Sequence, residues 1–524
     1  MYDGRTYFFL GIGGIGMSAL ARFFKAQGCT VNGYDRTRSE LTKELEEEGI
    51  GIIYDETKIE RQKTAALKDD SQDWKLEIDK WVDEDTIVVR TPAVPEDLPL
   101  CQYIHGKSTR WYKRAEILGQ ISGVKKKSLC VAGTHGKTTT STMLTHLIRC
   151  TKDKCTMYEG DGVNAFLGGI SRNYGTNVLI DKESEFVVVE ADEYDRSFLH
   201  LRPYMSVITA IDPDHLDIYG DAQGYQEGFN EYAALVEKTI VLKAGYKVER
   251  PLRSKTKDKR PAKIIRYCGE RGTENGEADC YAQNVRVIDG QIIYDVHLND
   301  LEGHETDIRD LRLGVPAYVN IENSVAAITM AWLNGVDEDT IRRGIETFQG
   351  VQRRFNVHVQ THDLLVVDDY AHHPTELQAC LDSVRFLYPE RPIIAVFQPH
   401  LYTRTRDFMD DFARVLSQAD ELILLPIYPA REEPIEGVTS EMLKTKVERC
   451  LRAHRYKTKD RCAQRQKTKD LLVEVVEKAD LVEAITVSVE RLAVSGKGVT
   501  VLMLGAGDID RLVQPVVEEL KSEK

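Results

Sequence analysis

Residues 131–140 read VAGTHGKTTT, a turn built from glycine, lysine and hydroxyl residues. The apolar stretch Ser128–Ala132 precedes it, and a helical pattern, Thr140–Arg149, follows. A strand–turn–helix of this make-up is an anion cradle. Gly133 and Gly136 let the backbone come close to a phosphate, and the helix N-terminus offers N–H groups at the positive end of its dipole. Lys137 can then reach the β- and γ-phosphates of a nucleotide, and the Thr138 hydroxyl can ligate Mg²⁺. The turn is tighter than the common phosphate loop, because Val131 stands where that pattern has its first glycine.

A second glycine turn, Gly11-Ile12-Gly13-Gly14-Ile15-Gly16, lies between a strand at Thr6–Leu10 and a helix from Met17 to Gln27. The strand Cys29–Tyr34 follows and ends at Asp35. This G-x-G-x-x-G in a βαβ setting, with an acid about 20 residues on, reads as a dinucleotide site or as a ligand-free tight turn. Further groups stand just past predicted strands. Phe186–Val189 runs into Glu190-Ala191-Asp192-Glu193, and Met205–Ile211 runs into Asp212-Pro213-Asp214-His215. Open α/β sheets bind ligands at such strand ends. Glu190 suits a hard cation, and His215 suits a second one or caps its own loop. Arg353 and Arg354, in Gln352-Arg353-Arg354-Phe355, can bind a transferring phosphoryl group or make a surface ion pair. His372-His373, with His400 and Arg404, can form a small polar pocket in which the arginine suits a carboxylate.

The elements that must position these groups alternate between β and α throughout. Thr86–Arg90 is an apolar strand, and a helix begins at Lys113-Arg114-Ala115-Glu116 before the basic linker Lys125–Lys127. A helix is predicted from Asn320 to Leu333. The last third repeats the alternation, with strands at Leu364–Val367, Ile393–Phe397, Leu422–Leu425 and Val499–Leu504. At 524 residues the chain has room for about three domains. The expected class is α/β: a Rossmann-like domain over 1–124, a central P-loop ATPase-like domain with a mostly parallel sheet over 125–343, and a Rossmann-like domain over 344–524. The charged stretches 59–80, 247–263 and 444–470 read as exposed insertions.

Bulk properties exclude several function classes. Net charge is −14, which argues against nucleic-acid binding. No apolar run is long enough to insert in a membrane, and the start MYDGRTYFFLGIGG does not read as a signal peptide. The ten cysteines form no C-x-x-C pair, which fits reduced thiols in the cytoplasm.

Taken together these pieces resemble the Mur ligases, the ATP-dependent amide-forming enzymes of peptidoglycan synthesis. The resemblance rests on GIGGIGMS at 11–18, TPAVP at 91–95, KRAEILG at 113–119, the compact GTHGKT at 133–138, EADEYDRSFLHL at 190–201 and DHLDIYG at 214–220. It continues with QRRF at 352–355, DDYAHHPTE at 368–376, FQPHLYTRT at 397–405, IYPAREEPI at 427–435 and GAGDID at 505–510. It implies that the first glycine turn serves a UDP-sugar rather than NAD, through Gly11, Gly13, Gly14, Ile15, Gly16, Asp35, Thr91 and Pro92. It implies an ATP site of Gly133, Thr134, His135, Gly136, Lys137, Thr138, Thr139, Asn320, Asn323 and Arg354. Thr138, Glu190 and His215 would hold Mg²⁺ or Mn²⁺, with Lys137, His215, Arg354 and Asp369 carrying the chemistry. Tyr370, His372, His400 and Arg404 match an amino-acid pocket. Val319 and Leu401 depart from the pattern, standing where relatives often have His and Arg.

The reaction so implied joins L-alanine to UDP-N-acetylmuramic acid through an acyl phosphate. Small molecules are then the partners, and the protein is a monomer or homodimer. Three other readings compete: a recycling ligase that takes a murein tripeptide, an NAD-dependent dehydrogenase, and a non-catalytic nucleotide-binding regulator. The dehydrogenase leaves the loop at 133–138 and the acids at 190–217 without a role.

Overall fold

A computed structural model describes residues 4–54, 73–108, 110–151, 162–249, 262–270, 278–300, 302–430, 432–458, 472–494 and 496–522. Of the expected insertions at 59–80, 247–263 and 444–470, residues 59–72, 250–261 and 459–470 lie outside these residues, as does Arg431; the described parts are not wholly exposed, since Ile78 and Val447 are buried in the helices Asp73–Trp81 and Ser440–Thr458. The chain divides into two compact units. The first comprises Met1–Gln283, Val296–Ile308 and Asn323–Thr347, and the second comprises Asn284–Asp295, Arg309–Glu322 and Phe348–Lys524. Three sheets run through the chain, and the α/β class with mostly parallel strands is as expected.

In the first unit, a five-stranded parallel sheet has the order Gly51–Tyr54, Thr30–Asp35, Thr6–Leu10, Ile87–Arg90, Trp111–Lys113. The helix Ile15–Ala26 packs on it because Met17, Leu20, Ala21 and Phe24 recur at helical spacing and are all buried. Phe24 stacks on Tyr7 with ring centroids 3.8 Å apart.

A ten-stranded sheet carries the 133–138 turn. The strand Lys127–Ala132 lies between Phe186–Glu190 and Met205–Ile208, parallel to both. Val131 pairs with Glu190, and Ala132 pairs with Ile208. The three chains therefore leave the sheet at the same edge and level. Thr209 ends the third strand earlier than expected, since its hydroxyl donates to the Ala132 and His135 carbonyls at 3.2 and 2.5 Å.

The helix after the turn spans Lys137–Cys150 rather than opening at Thr140. Gly136 is left-handed at φ 79°, so the chain can reverse there and Lys137 becomes the first helical residue. The strands Asn164–Ser171, Thr176–Leu179 and Thr239–Lys243 add to those expected from the sequence.

The second unit has a six-stranded sheet in the order Asn356–Gln360, Leu364–Asp369, Val499–Leu504, Ile393–Phe397, Glu421–Leu424, Leu472–Val475. Only the first pair is antiparallel. Asp369 and Phe397 both stand opposite Leu504, so three loops emerge together at 370–374, 398–401 and 505–509. No helix among the described residues is long and apolar enough to cross a membrane.

Candidate active site

Each residue of the 133–138 turn is tied down. Gly133 sits at φ 130°, and a Cβ there would meet the Thr209 hydroxyl at 2.2 Å and the Ala210 nitrogen at 2.7 Å. The Thr134 hydroxyl donates to the Asp212 carbonyl at 2.8 Å and lies 3.0 Å from the Tyr225 hydroxyl. His135 Nε2 is 3.9 Å from Asp212. Gly136 lies under Asn323, whose side-chain oxygen would be 2.7 Å from a Cβ and accepts from the Thr140 hydroxyl at 3.3 Å. Asn320, also buried, donates to the Val315 carbonyl at 3.3 Å. Thr139 is buried in the first turn of the helix.

Lys137 curls back over the turn. Its ammonium donates to the Gly133 and Thr134 carbonyls at 2.7 and 3.4 Å and to Glu193 at 2.8 Å. Burial pulls its pKa down, but Glu193 and Glu190 outweigh that and hold it above the ordinary lysine value. Beside it the Thr138 hydroxyl donates to Glu190 Oε1 at 3.0 Å, and the Gly168 N–H donates to Oε2 at 2.9 Å. Thr138 and Glu190 thus bring hard oxygen donors together next to the anion cradle, the donor set that Mg²⁺ takes. His215, at φ 51°, presents Nε2 3.9 Å from Glu193 and 3.8 Å from Asp214, with its ring edge-on to Tyr194.

At the first glycine turn, Gly11 is left-handed at φ 84° and Thr91 packs on it, 2.5 Å from where a Cβ would stand. Asp35 accepts from the Gly13 N–H at 2.7 Å and from the Thr37 N–H at 3.2 Å, which fixes the turn through the acid that ends the neighbouring strand. Gly14 is the N-cap of the helix that begins at Ile15. Pro92 follows Thr91 just past the strand Ile87–Arg90. Gly16 leaves room for Arg114, whose guanidinium also pairs with Asp192 at 3.1 Å. A cavity of 260 Å³ lies here, lined by Ile15, Gly16, Arg114, Gly168, Glu190 and Asp192 among others. It joins the first glycine turn to the Glu190 carboxylate.

In the second unit both arginines of QRRF lie over the Tyr370 ring, Arg353 at 4.9 Å, but they differ in their polar partners. Arg353 donates to the Gly505 and Gly507 carbonyls at 2.7 and 3.1 Å and pairs with Asp510 at 3.1 Å, so it builds the turn. Arg354 lies over the Tyr370 ring at 5.0 Å and 3.8 Å from Glu376. The Asp369 carboxylate accepts from the Phe355 and Ala371 N–H groups at 2.7 and 2.8 Å. Desolvation nonetheless lifts its pKa to about 6, against the pull of Arg354. Tyr370, His372 and His400 come together, and the Arg404 charge acts on both imidazoles. Tyr370 and His372 are edge to face at 5.1 Å, His372 and His400 are 6.2 Å apart, and His400 stacks on Tyr428. Burial, helped by the charges of His372 and Arg404, pushes His400 down to about 4. Burial also pushes His372 down. Leu401 adopts φ 69°, an unusual conformation for a branched residue, at the start of the helix Tyr402–Asp407 that carries Arg404.

Sequence reasoning passed over Glu193, Thr209, Gly168 and Arg114. Glu193 and Arg114 stood inside motifs already noted. Thr209 and Gly168 carried no signal, because their roles depend on strands from elsewhere in the chain.

The chain is similar to known proteins along its length. Residues 6–126 match the model of the Mur ligase family catalytic domain, 131–331 the Mur ligase middle domain, and 353–507 the Mur ligase glutamate ligase domain. A UDP-N-acetylmuramate–L-alanine ligase of Parabacteroides distasonis is 44% identical, covering 98% of this chain and 96% of the relative. The crystal structure of a UDP-N-acetylmuramate-alanine ligase from Thermotoga maritima superposes with a TM-score of 0.69 at 25% identity, covering 99% of this chain and all of that one. A murein peptide ligase from Psychrobacter arcticus shares the fold, with a TM-score of 0.59 at 21% identity and 99% coverage of each chain. With all three family models matched in order along its length, the chain belongs to the Mur ligase family.

Proposed function

We propose that this protein joins L-alanine to UDP-N-acetylmuramic acid at the expense of ATP, giving UDP-N-acetylmuramoyl-L-alanine, ADP and phosphate. The observation that carries the reading is the juxtaposition of Lys137, Thr138 and Glu190 at one sheet edge, with the cavity leading from Glu190 to the first glycine turn. Relatives named for this reaction at 44% identity over nearly the whole chain support it.

In this reading residues 1–124 hold the UDP-sugar. Gly11, Gly13, Gly14, Ile15, Gly16, Asp35, Thr91 and Pro92 form the site, and the helix N-terminus faces the pyrophosphate. Residues 125–343 hold ATP on the 133–138 turn, with Asn320 and Asn323 toward the base. Residues 344–524 hold alanine between Tyr370, His372, His400 and Arg404. Mg²⁺ or Mn²⁺ would sit on Thr138 and Glu190, with His215 for a second ion, and would screen the charge of the meeting anions when bound.

A carboxylate is a poor electrophile. Its oxygen attacks the γ-phosphorus, ADP leaves, and the acyl phosphate so formed has a good leaving group. The alanine amine then attacks the acyl carbon, a tetrahedral intermediate forms, and phosphate departs. Lys137 stabilises charge on the phosphoryl oxygens, a role the family resemblance also gives to Arg354. Asp369 holds the backbone N–H groups just after Arg354 and just after Tyr370. His372 and His400, both kept neutral by burial, leave Arg404 as the positive group for the alanine carboxylate. The protein works in the cytoplasm as a monomer or homodimer.

The test is phosphate release from ATP with purified protein, UDP-N-acetylmuramic acid, Mg²⁺ and single acceptors. Release that depends on L-alanine, with the alanyl product formed, is expected. Release that depends on a murein tripeptide moves the assignment to a recycling ligase. ADP binding with no release for any acceptor marks a regulator.

A further inference from the structure

Glu193 lies three residues past Glu190 and is only 2% exposed. Its Oε1 accepts from the Lys137 ammonium at 2.8 Å and lies 3.9 Å from His215 Nε2. Its Oε2 is buried with no hydrogen-bond partner. An unpaired buried acceptor is costly, so this oxygen calls for a group that the site receives. The backbone at this point is held independently of the side chain, because the Tyr219 hydroxyl donates to the Glu193 carbonyl at 2.6 Å. Lysine is a point charge on a flexible four-carbon stem. Two carbonyls of its own turn do not fix where its charge sits, and a rigidly mounted carboxylate does.

We propose that Glu193 is a positioning residue for phosphoryl transfer: one buried carboxylate fixes the Lys137 ammonium and faces the His215 imidazole. The proposal rests on the nucleotide-site reading above. It has two consequences of opposite sign. Glu193 sets Lys137 for the transition state, and it also places a negative charge beside a polyphosphate. Neutralising it removes repulsion toward the nucleotide while leaving the lysine unanchored.

The experiment measures kcat, KM for each substrate, the melting temperature and the Kd of ADP without Mg²⁺ for wild type, Glu193→Gln and Glu193→Asp. Glu193→Gln is expected to bind ADP roughly 3–10-fold tighter while kcat falls roughly 10–100-fold, with KM for the UDP-sugar unchanged. Glu193→Asp keeps the charge but not the reach, so ADP affinity stays at wild type while kcat falls. A kcat within about twofold of wild type in both variants overturns the proposal. So does a joint loss of kcat and ADP affinity that follows a lowered melting temperature, which marks a purely structural residue. Wild-type protein that binds no ADP refutes the nucleotide-site reading itself and removes this proposal with it.

Discussion

The Gly168 N–H donates to Glu190 Oε2 at 2.9 Å, and a Cβ on Gly168 would stand 2.3 Å from the other carboxylate oxygen. The carboxylate expected to hold a cation is thus fitted against a bare backbone. Gly168→Ala must push Glu190 off its present position. Since the glycine is exposed, the fold has room to absorb the methyl group. The Mg²⁺ concentration for half-maximal rate should rise about tenfold, with the melting temperature within a few degrees of wild type. An unchanged Mg²⁺ titration would remove Glu190 from the metal site.

Lys137→Ala should lower kcat by at least roughly 10²–10³-fold, the usual cost of deleting a charge that stabilises the transition state. It also leaves Glu193 buried without its partner, so the protein should lose about 3 kcal/mol of stability. UDP-sugar affinity, measured by calorimetry, should stay within about twofold, because the first glycine turn does not use this lysine. Loss of UDP-sugar affinity together with kcat would mean the variant has not folded.

Arg404→Ala should raise KM for alanine by at least about tenfold and leave KM for ATP nearly constant, since a guanidinium–carboxylate contact is made in the ground state as well as the transition state. Steady-state kinetics with each substrate varied in turn decides it. Equal effects on both constants would assign Arg404 to the fold.

Asp369 predicts a pH effect on stability. Its carboxyl is raised from the ordinary 3.8 to about 6 by burial. Between these two values the folded protein binds more protons than the unfolded chain, so this group's contribution to stability falls as pH rises and levels off above about 6. Asp369→Asn lacks this term. Denaturation of the two proteins at pH 5 and pH 8 should show the variant gaining about 1–2 kcal/mol relative to wild type at the higher pH. A difference independent of pH would mean the carboxyl titrates normally.

Much of this could be read from the chain because the informative residues are consecutive. The strand at Thr6–Leu10, the helix after it and the turn at 133–138 each show their period and their glycines within about a dozen residues. What was hidden depends on pairing between distant segments. Nothing near Gly168 announces that Glu190 will lie against it, and nothing near Thr209 announces that it will clasp the His135 carbonyl. The helix boundary at Lys137 was read three residues late, because threonines at 138–140 have weak helix propensity and packing overrides it. Arg353 and Arg354 are adjacent and chemically identical, so only the fold distinguishes the one that braces Gly505 from the one beside Asp369.

The register that sets Val131 opposite Glu190 and Ala132 opposite Ile208 has a bearing on how such an enzyme can diverge. Side chains alternate faces along a strand, so inserting or deleting a single residue between Phe186 and Glu190 would turn the carboxylate to the far side of the sheet. The strand ends at this edge are therefore frozen in length. The loops at 370–374 and 398–401, proposed to carry acceptor residues, leave the end of another sheet and share none of this pairing. New amino-acid acceptors would arise by rewriting these loops over an invariant energy-transducing frame. A laboratory selection for altered acceptors should accumulate its changes there and leave the lengths of the strands 127–132 and 186–190 untouched.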